Sequence, residues 1–106
     1  MPWLILLVAG LFEVAWAVGL KYTDGFTRVG ATLFTVIALL FSMTLLAFAM
    51  RSLPLSTSYA IWTGIGTIGT ALFGFMVLKE PVSALRIVCI ALIALGILGL
   101  RLAGAD

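Results

Sequence analysis

The sequence has no histidine, and its one cysteine is Cys89. That scarcity excludes disulfides, zinc sites and most thiol redox chemistry. Charge is scarce too. Only 9% of the 106 residues are charged and 64% are hydrophobic, whereas a soluble domain carries roughly 25% charged residues. A soluble fold of this length has no room to hide so much apolar surface, so the bilayer is the solvent that fits. No separate targeting segment stands out. The N-terminal apolar run is longer than a signal h-region and is followed by further runs, so it reads as a retained first helix. The net charge of +2 is spread over short loops and points to no nucleic-acid partner.

A helix that crosses the hydrocarbon core needs about 20 mostly apolar residues. Four stretches qualify, at approximately residues 2–20, 29–50, 57–78 and 82–102. Pro2 is tolerable in a first turn. Lys21-Tyr22-Thr23-Asp24-Gly25 is a turn-forming cluster, Pro54 and Ser56 suit a helix start, and Lys79-Glu80-Pro81 ends the third stretch. The linking segments are too short to fold alone. The predicted fold is an all-α membrane protein, with residues 1–106 forming a single domain of four transmembrane helices. Consecutive helices are antiparallel neighbours.

Lys and Arg in the loops set topology, and acids hardly count. Lys21, Arg28, Lys79 and Arg86 fall on one side; Arg51, Arg101 and the N-terminal amine fall on the other. Four against three is a slight bias. One reading is a weak bias with a single true orientation. The other is that both orientations occur and pair as an antiparallel dimer, which gives two copies the symmetry that inverted repeats give one chain. Four helices enclose little volume, which disfavours a permeation path within one subunit.

Almost every charge lies at a span boundary, and Glu13 does not. It sits roughly 16 Å of helix from the start of the first span and roughly 10 Å from its end. A charge at that depth costs about 2.5 kcal/mol or more, so such residues face the protein interior or a wet cavity. The bland alternative is a protonated Glu13 making one interhelical hydrogen bond. By helical spacing, Leu6, Ala9, Gly10, Trp16 and Ala17 share its face. The small residues leave room for a helix or a ligand, and Trp16 adds a ring face and one N–H, or simply packs. Ser42, in the second span, is placed to orient a carboxylate or to bond back to its own helix. Tyr59 and Trp62 share a face of the third span with Thr63 and Gly66 beside them, and an interfacial aromatic belt is the alternative. Gly64 and Gly66 make a candidate hinge, or serve close packing. The fourth span has no polar residue at its centre and reads as packing or dimerisation surface.

One acid, a hydroxyl and aromatic rings make a cation site, with charge from the carboxylate and cation–π attraction from the rings. A buried carboxylate holds a proton or a cation, but hardly both. If the empty, ionised form crosses slowly, proton movement and cation movement become coupled. No base, nucleophile or metal cluster accompanies Glu13, so the sequence predicts neither an enzyme nor a metal site.

Over essentially its full length the chain resembles the small multidrug resistance transporters. The resemblance is carried by four short spans, the run Gly10-Leu11-Phe12-Glu13-Val14-Ala15-Trp16, the run Tyr59-Ala60-Ile61-Trp62-Thr63-Gly64-Ile65-Gly66, and the Lys79-Glu80-Pro81 turn. Gly10, Trp16 and Ser42 make it similar to the guanidinium-exporter (SugE/Gdx) subtype. The resemblance implies an antiparallel, dual-topology homodimer in the bacterial inner membrane. It implies export of guanidinium ion in exchange for protons, with the proton as coupling ion, no other cofactor, and both copies of Glu13 in one central site. It further implies that Ser42 hydrogen-bonds to the carboxylate, that Gly10, Trp16 and Trp62 line the site, and that Tyr59 supports the carboxylate and gates access. The planar cation, with its paired N–H donors, matches a carboxylate fork. The alternatives are an exporter of small quaternary ammonium ions and, from another class, a non-transporting assembly subunit or passive pore.

Overall fold

The computed structural model describes residues 2–103, and four helices fill almost all of them. They are α1 (Pro2–Tyr22), α2 (Val29–Ala49), α3 (Leu55–Met76) and α4 (Ala84–Ala103). Each is long and apolar enough to cross a membrane; at 1.5 Å per residue, each spans about 30 Å. The N-terminal amine counted above for topology lies outside the described residues.

The helix ends differ from the sequence expectation by up to two residues, for local reasons. α1 continues to Tyr22 because the Thr23 hydroxyl takes over at its end, donating to the Leu20 carbonyl (2.8 Å) and accepting the Phe26 N–H (3.2 Å). α3 starts directly after Pro54, whose ψ of 150° is extended and whose carbonyl accepts the Ser58 N–H at 3.0 Å. It stops at Met76, two residues early, because Lys79 takes a left-handed φ of 58°. That turn brings the Glu80 N–H back onto the Gly74 carbonyl at 3.0 Å. α4 begins after Ser83, not at Val82, because the Ser83 hydroxyl caps the helix by accepting the Arg86 N–H at 3.2 Å.

α1 is central, packing on both α2 and α3, while α4 touches α3. None of α4 is buried. The bundle is a slab with extents of 45 × 35 × 17 Å and a radius of gyration of 14.6 Å, where a compact domain of this length has about 13 Å. The slab is hardly thicker than a single helix with its side chains, roughly 10–12 Å, so it encloses no central path.

Packing is uneven along the slab. The apolar core of Leu6, Ala9, Leu46, Ala49, Leu53, Ile61 and Trp62 gathers toward the α2–α3 turn. α1 and α3 approach closely through glycines. A Cβ on Gly10 would stand 2.7 Å from Cβ of Ile65, and one on Gly69 would collide with Val14. Toward the α3–α4 turn an open cavity lies between α1 and α3.

Candidate functional site

The cavity is about 400 Å³ and is lined by Glu13, Ala17, Gly66, Thr67, Thr70, Ala71 and Glu80. Glu13 reaches it from mid-α1. Its carboxyl group lies against the backbone of Gly66, in the space a side chain at that position would fill. α3 therefore needs a glycine at 66 for contact. The helix runs unbroken through Gly64 and Gly66; Gly64 in turn receives Ile97 of α4, whose Cδ1 would stand 2.7 Å from a Cβ there. In this conformation both glycines serve as contact points.

Buried polar atoms without protein partners gather nearby. Glu13 Oε1, Trp16 Nε1, Thr63 Oγ1 and Thr70 Oγ1 are all buried and unbonded. Trp16 lies one turn beyond Glu13 on α1, and Thr63 and Thr70 lie one turn either side of Gly66 on α3. Each such orphan costs about 1–3 kcal/mol, and native structures contain few of them, usually with a functional reason. Among the lining residues the ionisable groups are both acids, Glu13 and Glu80, so the cavity favours a cation. Among the described residues no group of three or more His, Cys, Asp or Glu is arranged to hold a metal ion. A second cavity of about 380 Å³, between Trp3, Ile61, Ile65, Ile97 and Arg101, has no acid in its wall.

The other residues singled out from sequence are placed differently. Ser42 is fully buried and does not bond to Glu13. Its hydroxyl donates to the Ala9 carbonyl at 2.7 Å and accepts the Trp62 indole N–H at 2.8 Å. The hydroxyl has one proton, and that proton is already committed to α1, so none is left for the carboxylate. Neither does Ser42 bond back to its own helix: it ties three helices together. Trp62 is part of the apolar core, 5% exposed, and its N–H is held by Ser42. Gly10 is filled by Ile65. Tyr59 packs against Trp62 at 5.5 Å with its ring tilted by 53°, and is 55% exposed at the subunit surface. Within one subunit, then, Gly10, Ser42, Tyr59 and Trp62 do not border the Glu13 cavity.

Thr67 and Thr70 were not anticipated as lining, and Glu80 was read only as a turn. The signal for the threonines is their spacing: Thr63, Thr67 and Thr70 follow the three-four rhythm of one α3 face around Gly66.

Comparison with known proteins gives the same framework. The profile of the family described as Small Multidrug Resistance protein matches residues 1–93. This chain belongs to the small multidrug resistance family. Relatives are similar over nearly their whole length. The Guanidinium exporter of Escherichia coli (strain K12) is 55% identical over 102 residues, covering 96% of this chain and 97% of that protein. The Guanidinium exporter of Proteus vulgaris is 53% identical, with 97% and 99% covered. That of Yersinia pseudotuberculosis serotype I (strain IP32953) is 52% identical with the same coverage. As a member of the small multidrug resistance family with four membrane-spanning helices, the chain is a multi-pass transport protein of the bacterial inner membrane and not an enzyme. Glu13, the Trp16 that follows it and the α3 glycine run all fall within the matched segment.

Proposed function

We propose that this chain exports guanidinium ion in exchange for protons, with Glu13 as the group that binds either one. The observation that carries the reading is the Glu13 carboxyl lodged on Gly66 in an acid-lined cavity. Relatives named guanidinium exporters at 52–55% identity support the choice of cation.

Guanidinium has only donors, and a carboxylate accepts two of its parallel N–H groups. The third nitrogen is then free to reach a threonine hydroxyl such as Thr70. Trp16 has the opposite character: its indole N–H donates, so it suits the carboxylate and not the cation. A cavity of a few hundred Å³ suits a small ligand with some water. When the cation leaves, a proton neutralises Glu13 in its place. The empty, ionised carboxylate is the costly state at this depth, by about 2.5 kcal/mol or more. A transporter that changes access only with Glu13 neutralised exchanges one guest for the other.

The thin slab, the unburied α4 and the exposed Tyr59 support a second copy completing the site. We take it to be antiparallel, in keeping with the near balance of Lys and Arg between the two sides. In such a dimer the exposed Tyr59 of one subunit would flank the other subunit's Glu13, with Trp62 supporting it from the core. Ser42 would act through Ala9 and Trp62.

Proteoliposomes test the reading. Uptake of guanidinium driven by an outward proton gradient, and abolished by Glu13→Gln, is the expected result. Leak that ignores both the gradient and the substitution would overturn it. Transport of tetraalkylammonium with indifference to guanidinium would reassign the cargo.

A further inference from the structure

Two acids face the same cavity, and the reading above uses only one. Glu80 lies just beyond α3 and is exposed at the membrane boundary. Its carboxyl group folds onto Gly74 much as that of Glu13 folds onto Gly66, each in the space a side chain would fill. The two glycines are eight residues apart on one face of α3, about 12 Å at 1.5 Å per residue. Thr70 stands midway, about 6 Å of helix from each. Its hydroxyl oxygen is buried, has no protein partner and belongs to the cavity wall.

Local folding does not account for an acid at this place. The last carbonyls of a helix concentrate partial negative charge, so a carboxylate there is disfavoured where a cation is welcome. Yet the left-handed Lys79 and the bond from Glu80 N–H to the Gly74 carbonyl (3.0 Å) hold Glu80 over that end. The nearby cations lie outside the cavity wall: Lys79 is in the turn itself, and Arg86 shares a separate groove with Glu80 and donates from Nη1 to the Pro81 carbonyl at 3.4 Å. Within the cavity, helix end and carboxylate together give an acidic rim with no basic side chain in its wall, which suits a visiting cation.

We propose that Glu80 is an outer cation station, from which a guanidinium ion passes along the Gly74–Thr70–Gly66 face of α3 to Glu13. The proposal rests on the reading of Glu13 as the guanidinium site. It makes Glu80 a residue that touches cargo in transit and not in the occluded state. Such a station hastens arrival and departure together, so it alters kcat/KM and leaves equilibrium affinity in place. Attraction at a charged mouth raises encounter rates by about tenfold or more and fades with ionic strength.

The test compares guanidinium uptake and guanidinium binding in the full chain. Glu80→Gln in proteoliposomes should lower kcat/KM for guanidinium about tenfold at low salt, while a binding titration shifts by less than about twofold. Glu80→Asp should restore most of the rate, and added salt should bring the parent protein toward the variant. Thr70→Val, which keeps shape and removes the hydroxyl, should lower kcat/KM in the same direction. If Glu80→Gln fails to reconstitute, the salt dependence of kcat/KM in the parent protein and in Glu80→Asp remains informative. An unchanged kcat/KM in either reconstituted variant, or parallel loss of binding and transport without rescue by aspartate, would overturn the proposal. Failure of the parent protein to bind guanidinium at all would remove the Glu13 reading and this one with it. Intact binding with an indifferent Glu80→Gln removes this one alone.

Discussion

The Glu13 carboxyl group and the Gly66 backbone are in direct contact across the α1–α3 interface. The acid is thereby pinned between two helices that any change of access must move. A side chain as small as a methyl group at 66 would push it out.

Gly66→Ala is expected to lower guanidinium affinity by roughly 5- to 150-fold, the range that corresponds to an overpacking penalty of about 1–3 kcal/mol. Gly64→Ala is the control. Its Cβ would meet Ile97 of α4 and not the acid, so it should affect binding less than about threefold, whatever it costs in stability. Titration of both variants with guanidinium decides between contact and hinge. Equal losses at both positions would favour the hinge.

Proton and guanidinium should compete for Glu13. Protonation removes the charge that holds the cation, so lowering pH weakens guanidinium binding. Well below the carboxyl pKa, each pH unit should cost about tenfold in apparent affinity, and at high pH the affinity should level off. A titration series across pH checks this. Affinity independent of pH would separate the proton from the cation site.

Ser42→Ala leaves the Trp62 indole N–H without an acceptor and the Ala9 carbonyl without its donor. The expected loss of stability is about 1–3 kcal/mol, read by thermal unfolding in detergent. Trp62→Phe removes the other half of the same bond. The two substitutions together should therefore destabilise by less than their sum. Full additivity would mean that the network does not act as a unit.

Crosslinking in membranes should capture subunit pairs with opposed termini. Recovery of parallel pairs alone would defeat the antiparallel arrangement. α4 is the element to label, because among the described residues it contributes none to the subunit interior.

Much of this was legible before any coordinates. Four apolar runs of about 20 residues permit little besides four spans, and an acid in mid-span is conspicuous because its desolvation is so costly. Helix ends were partly legible: Pro54 marked the start of α3 in the sequence, whereas Ser83 as a cap and Lys79 as a left-handed residue emerge only from backbone geometry. The register of α1 against α3 was not written in either segment. It follows from Gly10 meeting Ile65, Gly66 meeting Glu13 and Gly69 meeting Val14 at once. Ser42 shows the same limit. Its depth and type were visible, but its partners, the Ala9 carbonyl and the Trp62 indole, come from how three helices cross.

The crowding of the apolar core toward the α2–α3 turn has a mechanical consequence. If the subunit rocks to change access, the better-packed end would act as the pivot, and small rotations there would become wide displacements at the cavity mouth. Amide protons near Leu46 and Ile61 should then exchange with deuterium slowly, and those bordering Thr70 quickly. The fulcrum would be stationary while the gate swings.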